Sequence, residues 1–260
     1  MMRGTRWILG LSATMGLMIS AHSAELAATD GWQAWQVTAV ENAPDLCCYE
    51  WHGEQPERQV CKLDKRVRGF STHEVRSSEP GELTIYAWVQ DQQIHYLRAL
   101  SSDCPVHSDR EIVRLGPIDN ATSISLLKPL LRRNHKMMDH ALAAIAFHHG
   151  NEAFRILQQR AQAGDTLEQK KQALFWLAQS RITQARDYLM SSMRGADEPE
   201  LRKHAVFSYS QSAALDRDAV LIDLVEDQSL AHEERKNALF WLAHSDSSEA
   251  LDYLQAVLLR

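Results

Sequence analysis

Four cysteines and a crowd of histidines are the residues of this chain whose types could do chemistry. Cys47 and Cys48 are adjacent, Cys61 and Cys104 stand alone, and all four fall in the first half of the sequence. Thiolates that hold zinc usually come as two Cys-x2-Cys-like knuckles, and dithiol catalysis uses Cys-x-x-Cys; neither spacing is present. The even count suits a disulfide framework. Neighbours on a strand point to opposite faces, so Cys47 and Cys48 are expected to take different partners, one Cys61 and the other Cys104, with the assignment open. The pair Cys47-Cys48 has a rival reading as the redox element of an envelope stress sensor.

His135, His140, His148 and His149 crowd one stretch, and two histidines at helical spacing could hold a metal. No Glu or Asp completes an HExxH pattern, so neither a metal nor any other cofactor is expected. A Gly-x-Ser-x-Gly elbow is also missing, and no catalytic residue is assigned. The alternative is an enzyme or metal protein whose site lies where the two halves of the chain meet, built from residues such as His107, His135 and His140.

Stable disulfides imply an oxidising compartment, and the first residues agree. Arg3 and Arg6 precede an apolar run from Trp7 to Ile19, and Ala21-His22-Ser23 offers small residues where a signal peptidase needs them. A run of 13 residues is shorter than the roughly 20 that span a bilayer. Residues 1–23 therefore read as a signal peptide cleaved after Ser23, and the protein as periplasmic, with secretion beyond the envelope the other outcome. No membrane span is expected in the mature chain. Charge narrows the partners further. The chain carries −6, and −8 once Arg3 and Arg6 are lost. From residue 24 to Asn120 there are 9 basic and 16 acidic residues, a net of −7; the remainder has 17 and 18, a net of −1. Without a basic stripe for phosphates, nucleic acid is not expected as a partner.

The elements that must position these residues fall into two grammars. Residues 24–120 have the period of strands. In "ELTIYAWVQDQQIHYLRAL" apolar positions alternate through Leu83, Ile85, Ala87 and Val89, pause at Asp91-Gln92 and resume with Ile94, Tyr96 and Leu97, which predicts a hairpin. "WQAWQVTAV", "LCCYEWHG" and "RQVCKLD" are shorter strand candidates, with "HGEQPERQ" as a turn. A small antiparallel sheet of about five strands follows, braced by bridges worth roughly 2–4 kcal/mol each.

Residues 121–260 have the period of helices, and they repeat. "KKQALFWLAQS" from Lys170 returns as "RKNALFWLAHS" from Arg235, with "RKHAVFSYSQS" from Arg202 between them and a fainter "DHALAAIAFHH" from Asp139 before them. Aligning Lys171, Lys203 and Lys236 gives steps of 32 and 33 residues. A second phrase repeats behind the first: "NEAFRILQQR", "QARDYLMSSM", "DRDAVLIDLV" and "EALDYLQAVL". Ala185, Tyr188 and Leu189 stand at i, i+3 and i+4, one helix face. Each unit is two helices, and four units stack because a two-helix unit cannot cover its own apolar face and must bury it on the next copy. Ala173 and Ala238 permit close approach, while Leu174, Leu177, Leu239 and Leu242 fill the seam.

Residues 125 to 260 resemble the short HEAT-like repeats of bacterial proteins and of the phycobilin lyase group, whose units open on a helix reading R/K-x-x-A-x-x-x-L-A/G. The resemblance implies an α-solenoid and is silent on activity. The iron-binding hydroxylases among HEAT-like proteins use four His-Glu pairs, and the repeats hold one, His232-Glu233. The phycobilin lyases work in the cytoplasm, unlike an exported chain, and DNA glycosylases of this fold need a cationic groove. The expected architecture is thus α+β: a small disulfide-braced antiparallel β domain followed by an α-solenoid of about four two-helix HEAT-like repeats.

Within the repeats Phe175, Trp176, Phe240 and Trp241 are candidate binding residues. A helix that touches neighbours on both sides is apolar over a wide arc, so they can be core; the two Trp, replaced by Ser208 in the middle copy, could equally grip a peptide. Lys171, Lys203 and Lys236 form a ladder along one edge, expected to be solvated or to pair with acids one unit away, such as Asp187 and Asp252. The function this supports is a non-enzymatic scaffold that binds a protein or peptide through its repeat surface.

Overall fold

A computed structural model describes residues 26–52, 55–65, 72–73, 81–132 and 136–259. The leader expected at residues 1–23 lies outside them. Among the described residues no helix is long and apolar enough to cross a membrane.

The described strands, in chain order, are β1 (Gly31–Thr38), β2 (Asp45–Leu46), β3 (Cys48–His52), β4 (Gln55–Gln59), β5 (Cys61–Lys62), β6 (Thr72–His73), β7 (Glu82–Gln90), β8 (Gln93–Ser101), β9 (Val106–His107) and β10 (Ile112–Pro117). Four of them form one sheet in the order β10-β1-β7-β8. The hairpin expected from the alternation is β7–β8, and its turn residues Asp91 and Gln92 both have positive φ, 52° and 56°, which matches the right-handed twist of the flanking strands.

Two expectations need correction. The sheet is mixed, because β10 runs parallel to β1 from Trp32 opposite Ile112 to Gln36 opposite Pro117. The segment read as a turn contains β4, which pairs antiparallel with β3. Pro56 is tolerated there because among the described residues β4 pairs with β3 alone, so the missing N–H breaks no second ladder.

Strand alternation sorts the side chains into two cores. Trp35, Val37, Leu83, Ile85, Ala87 and Val89 join a cluster that continues into the helices through Ile124, Leu127, Leu142 and Ile145. Trp32, Ala34, Tyr86 and Leu100 join the cysteines. The bridges are Cys47–Cys104 and Cys48–Cys61, so the adjacent cysteines do take different partners.

The described helices are α1 (Asn120–Leu127), α2 (Met138–Ala146), α3 (Asn151–Ala163), α4 (Leu167–Gln179), α5 (Thr183–Gly195), α6 (Pro199–Ser210), α7 (Arg217–Glu226), α8 (His232–Leu242) and α9 (Ser248–Leu258). Asp119 starts α1 by accepting from the Thr122 N–H at 2.9 Å. From α2 onward the helices alternate as the two repeated phrases do. The first-phrase helices α2, α4, α6 and α8 contact one another in succession, while α3 touches α4 and α5, and α7 touches α8 and α9. The alanines of the first phrase, Ala141, Ala173, Ala205 and Ala238, are all fully buried, which lets neighbouring backbones approach.

The first helix pair is tied to the sheet by polar bonds. Trp35 Nε1 donates to Ser123 Oγ at 2.8 Å, Ser123 Oγ lies 2.8 Å from His148 Nε2, and His148 Nδ1 lies 2.8 Å from the Ala144 carbonyl. With Nδ1–H donating to a carbonyl, Nε2 accepts from the serine, and the imidazole is neutral. Just past β1, Val40 N–H donates to Phe147 O at 2.8 Å and His149 N–H to Thr38 O at 3.0 Å.

Burial pulls the His148 pKa from 6.5 down to about 4. The unfolded chain therefore binds the extra proton between these values, and stability present above pH 6.5 is lost as pH falls toward 4. Denaturant unfolding of the wild type should show about 2 kcal/mol less stability at pH 5 than at pH 7 from this group. A folded His148→Gln variant should lose most of that pH dependence.

Candidate functional site

In the repeat register, three positions of the first phrase share one helix face at i, i+3 and i+4. They are Gln172, Phe175 and Trp176 on α4, His204, Phe207 and Ser208 on α6, and Asn237, Phe240 and Trp241 on α8. The structure joins the aromatic members into one ladder. The Phe175 ring lies 5.2 Å from that of Trp176 and stacks at 6.3 Å on Phe207. Phe207 lies 5.0 Å from Trp241, which meets Phe240 edge-on at 5.0 Å, and Phe240 lies 4.4 Å from His244. Phe207 is the rung that attention to the tryptophans passes over; its signal was the register, since Phe175, Phe207 and Phe240 occupy the same repeat position.

The four aromatic candidates differ in burial. Trp176 is 6% exposed, its indole N–H donating to Asp139 Oδ1 on α2 at 2.7 Å. Phe175 and Trp241 are half-buried, and Phe240 is 51% exposed. Trp176 therefore packs one unit on the previous one, and the accessible aromatic surface lies toward α8.

On the same helices are buried polar atoms without a hydrogen-bond partner among the described residues: Gln172 Oε1, His204 Nε2, Asn237 Oδ1 and Trp241 Nε1. Gln172, His204 and Asn237 occupy one repeat position. A sheltered polar atom left unpaired costs about 1–3 kcal/mol, so this face would gain from groups that offer hydrogen bonds. Burial, then the charge of Lys171, holds His204 below its ordinary pKa.

Of the two expectations for the lysine ladder, solvation describes Lys203 and Lys236, and among the described residues neither Asp187 nor Asp252 is seen to pair with it. Lys171 is half-buried, and Lys203 and Lys236 are exposed. The first-phrase helices pair between units from the preceding position, Lys170 with Glu198, the N-cap of α6, and Arg202 with Glu234 in the first turn of α8. That position points along the stack toward the next first-phrase helix. Arg186 and Arg194 of α5 pair with Asp216 and Asp227. Asp187 is 3.7 Å from its neighbour Arg186, and Asp252 is exposed.

At the C-terminal ends of α4 and α6 the ladder borders a cavity of about 570 Å³ whose wall includes Phe175, Trp176, Gln179, Arg181, Arg217 and, from the sheet side, Pro44. Arg181 ends α4 with φ 57°, a conformation costing an L residue roughly 1–2 kcal/mol. Its Nη1 donates to Ala213 O in the next unit at 3.1 Å. Arg217 is committed to Asp218 and Ser245. The site thus offers ring faces, amides and a neutral imidazole beside cations that the protein already partners.

Other sequence candidates lie apart from this face. His140 is half-buried with its ring 6.0 Å from that of Tyr96, and burial lowers its pKa. His107 lies 3.1 Å from Asp109 on the surface, and His135 falls outside the described residues. Among the described residues, the one group of three metal-type ligands within reach of each other is Cys47, Cys61 and Cys104, whose sulfurs form bridges. No known family model, curated protein or solved structure matches the chain.

Truncation should separate glue from surface. Trp176→Ala is expected to cost about 3–5 kcal/mol in urea unfolding, and Phe240→Ala less than about 1 kcal/mol.

Proposed function

We propose that the chain is a non-enzymatic scaffold of the bacterial cell envelope that binds an extended polypeptide along α4, α6 and α8. In this reading the helical part is a solenoid of four short HEAT-like units. The observation that carries the proposal is the face itself: rings and hydrogen-bonding groups recur together at a step of 32 or 33 residues. An extended backbone presents an N–H and a C=O at each residue. These atoms are buried in the free chain, so a side-chain rotation must bring them to the surface; Gln172 Oε1 and Asn237 Oδ1 then accept, Trp241 Nε1 donates, and His204 Nε2 accepts in the tautomer that protonates the other nitrogen. Phe207, Trp241 and Phe240 would take apolar side chains between these bonds, where aromatic anchors contribute most to binding. The low charge of this half of the chain suits a partner chosen by shape and backbone. The two disulfides suit an oxidising compartment, which favours the periplasm.

The test is selection from a random peptide library displayed in an extended, unstructured context, with affinities measured by tryptophan fluorescence. Selected peptides should bind the wild type and lose about tenfold or more in Phe240→Ala and in Asn237→Ala, each checked for wild-type unfolding behaviour. A library that yields no binder, or binders indifferent to both substitutions, would overturn the reading.

A further inference from the structure

The two disulfides lie side by side. Cys61 Sγ of one is 3.5 Å from Cys104 Sγ of the other. Cys47, Cys61 and Cys104 are buried, at 2%, 0% and 6% exposure, whereas Cys48 is half-buried, so an external thiol has one sulfur to approach. Over that end sits Arg98, with Nη2 3.0 Å from Cys48 Sγ and 3.7 Å from Cys61 Sγ. Its Nη1 has no hydrogen-bond partner among the described residues. A guanidinium this close to sulfur stabilises a thiolate and so improves the corresponding leaving group.

We infer that the four cysteines form a two-step thiol–disulfide relay that accepts electrons from an external dithiol at Cys48 and passes the opening inward to Cys47. A thiolate of the dithiol attacks Cys48 Sγ, forms a mixed disulfide there and expels Cys61 as a thiolate beside Arg98. Cys61 Sγ attacks Cys104 Sγ, the Cys61–Cys104 bond forms, the Cys47–Cys104 bond breaks, and Cys47 leaves as a thiolate that takes a proton from water. The second thiol of the dithiol attacks its own sulfur in the mixed disulfide, closes into a cyclic disulfide and releases Cys48, which takes the second proton. Two electrons enter, and the dithiol is oxidised. The exchange inside the protein is electron-neutral. The product keeps β5 joined to the turn after β8 through Cys61–Cys104, while the segment leading into β3 is freed at Cys47 and Cys48 together. This reaction is independent of peptide binding and stands or falls without it.

The probe is dithiothreitol at one equivalent on the full mature chain, followed by acid quench, alkylation and peptide mapping. The expected two-electron product carries label on Cys47 and Cys48 with Cys61 linked to Cys104. Label on Cys48 and Cys61 with Cys47–Cys104 intact would overturn the relay, as would simultaneous label on all four or resistance to the dithiol under native conditions. Arg98→Gln should slow the first opening by on the order of tenfold. An unchanged rate in a folded variant would remove Arg98 from the mechanism, and the mapping on the wild type does not depend on that variant folding.

Discussion

The hydroxyl of Ser123 is the centre of the buried polar link between the two halves of this protein. It accepts from the Trp35 indole on the sheet and donates to the imidazole of His148 at the end of the first repeated helix. All three residues are essentially excluded from solvent, at 1%, 0% and 0% exposure. Buried polar groups are stable only when every member is satisfied, so the chain of bonds fixes rotamers, tautomer and the distance between layers together. The later units carry Ser180, Ser212 and Ser245 where the first carries His148, and those serines bond within the helical part: Ser180 to Leu177 O, Ser212 to Tyr209 O and Ser245 to Asp218. The longer imidazole adds a side-chain bond toward the sheet to the backbone bonds of Phe147 and His149. Once the first unit is placed, each following pair of helices inherits its position from the one before.

What could be read from the residues was what local pattern dictates. The β7–β8 hairpin followed from alternation around Asp91-Gln92, and the helical pairs followed from repetition, because equivalent alanines must be buried at equivalent contacts. The partners of Cys47 and Cys48 could be named but not distributed, since connectivity depends on which loop crosses which, a property of the whole fold. The parallel seat of β10 beside β1 was hidden for the same reason. The strand β4 was hidden for another: on a ribbon with one neighbour, polar residues and Pro56 carry no penalty, so no alternation marks it. The ionic rungs fell at Lys170 and Arg202 rather than Lys171 and Lys203 because a helix turns 100° per residue. One position decides whether a side chain meets the next helix or water.

The repeated face shows how conflicting demands are met on one helix. Ala173, Leu174 and Leu177 serve the interior, while Gln172 and Phe175 lie to one side, where a stack that only packed would favour residues with all polar atoms satisfied. Keeping an amide or imidazole at that position in α4, α6 and α8 sacrifices stability repeatedly. A cost that recurs at the same step as the fold itself is a systematic property of the surface.

The segment from Val40 to Cys47 is held at both ends, by the Val40–Phe147 backbone bond and by the bridge to Cys104, with Leu46 N–H fixed to Ser101 Oγ in between. Pro44 on that segment forms one wall of the cavity beside the aromatic ladder. In mechanical terms it is a strap under fixed length. The width of the opening is therefore governed by how many residues the strap contains and by where its anchors sit. A lineage could retune that width by adding or removing a residue between Asn42 and Asp45, leaving every ring and amide of the opposite wall untouched.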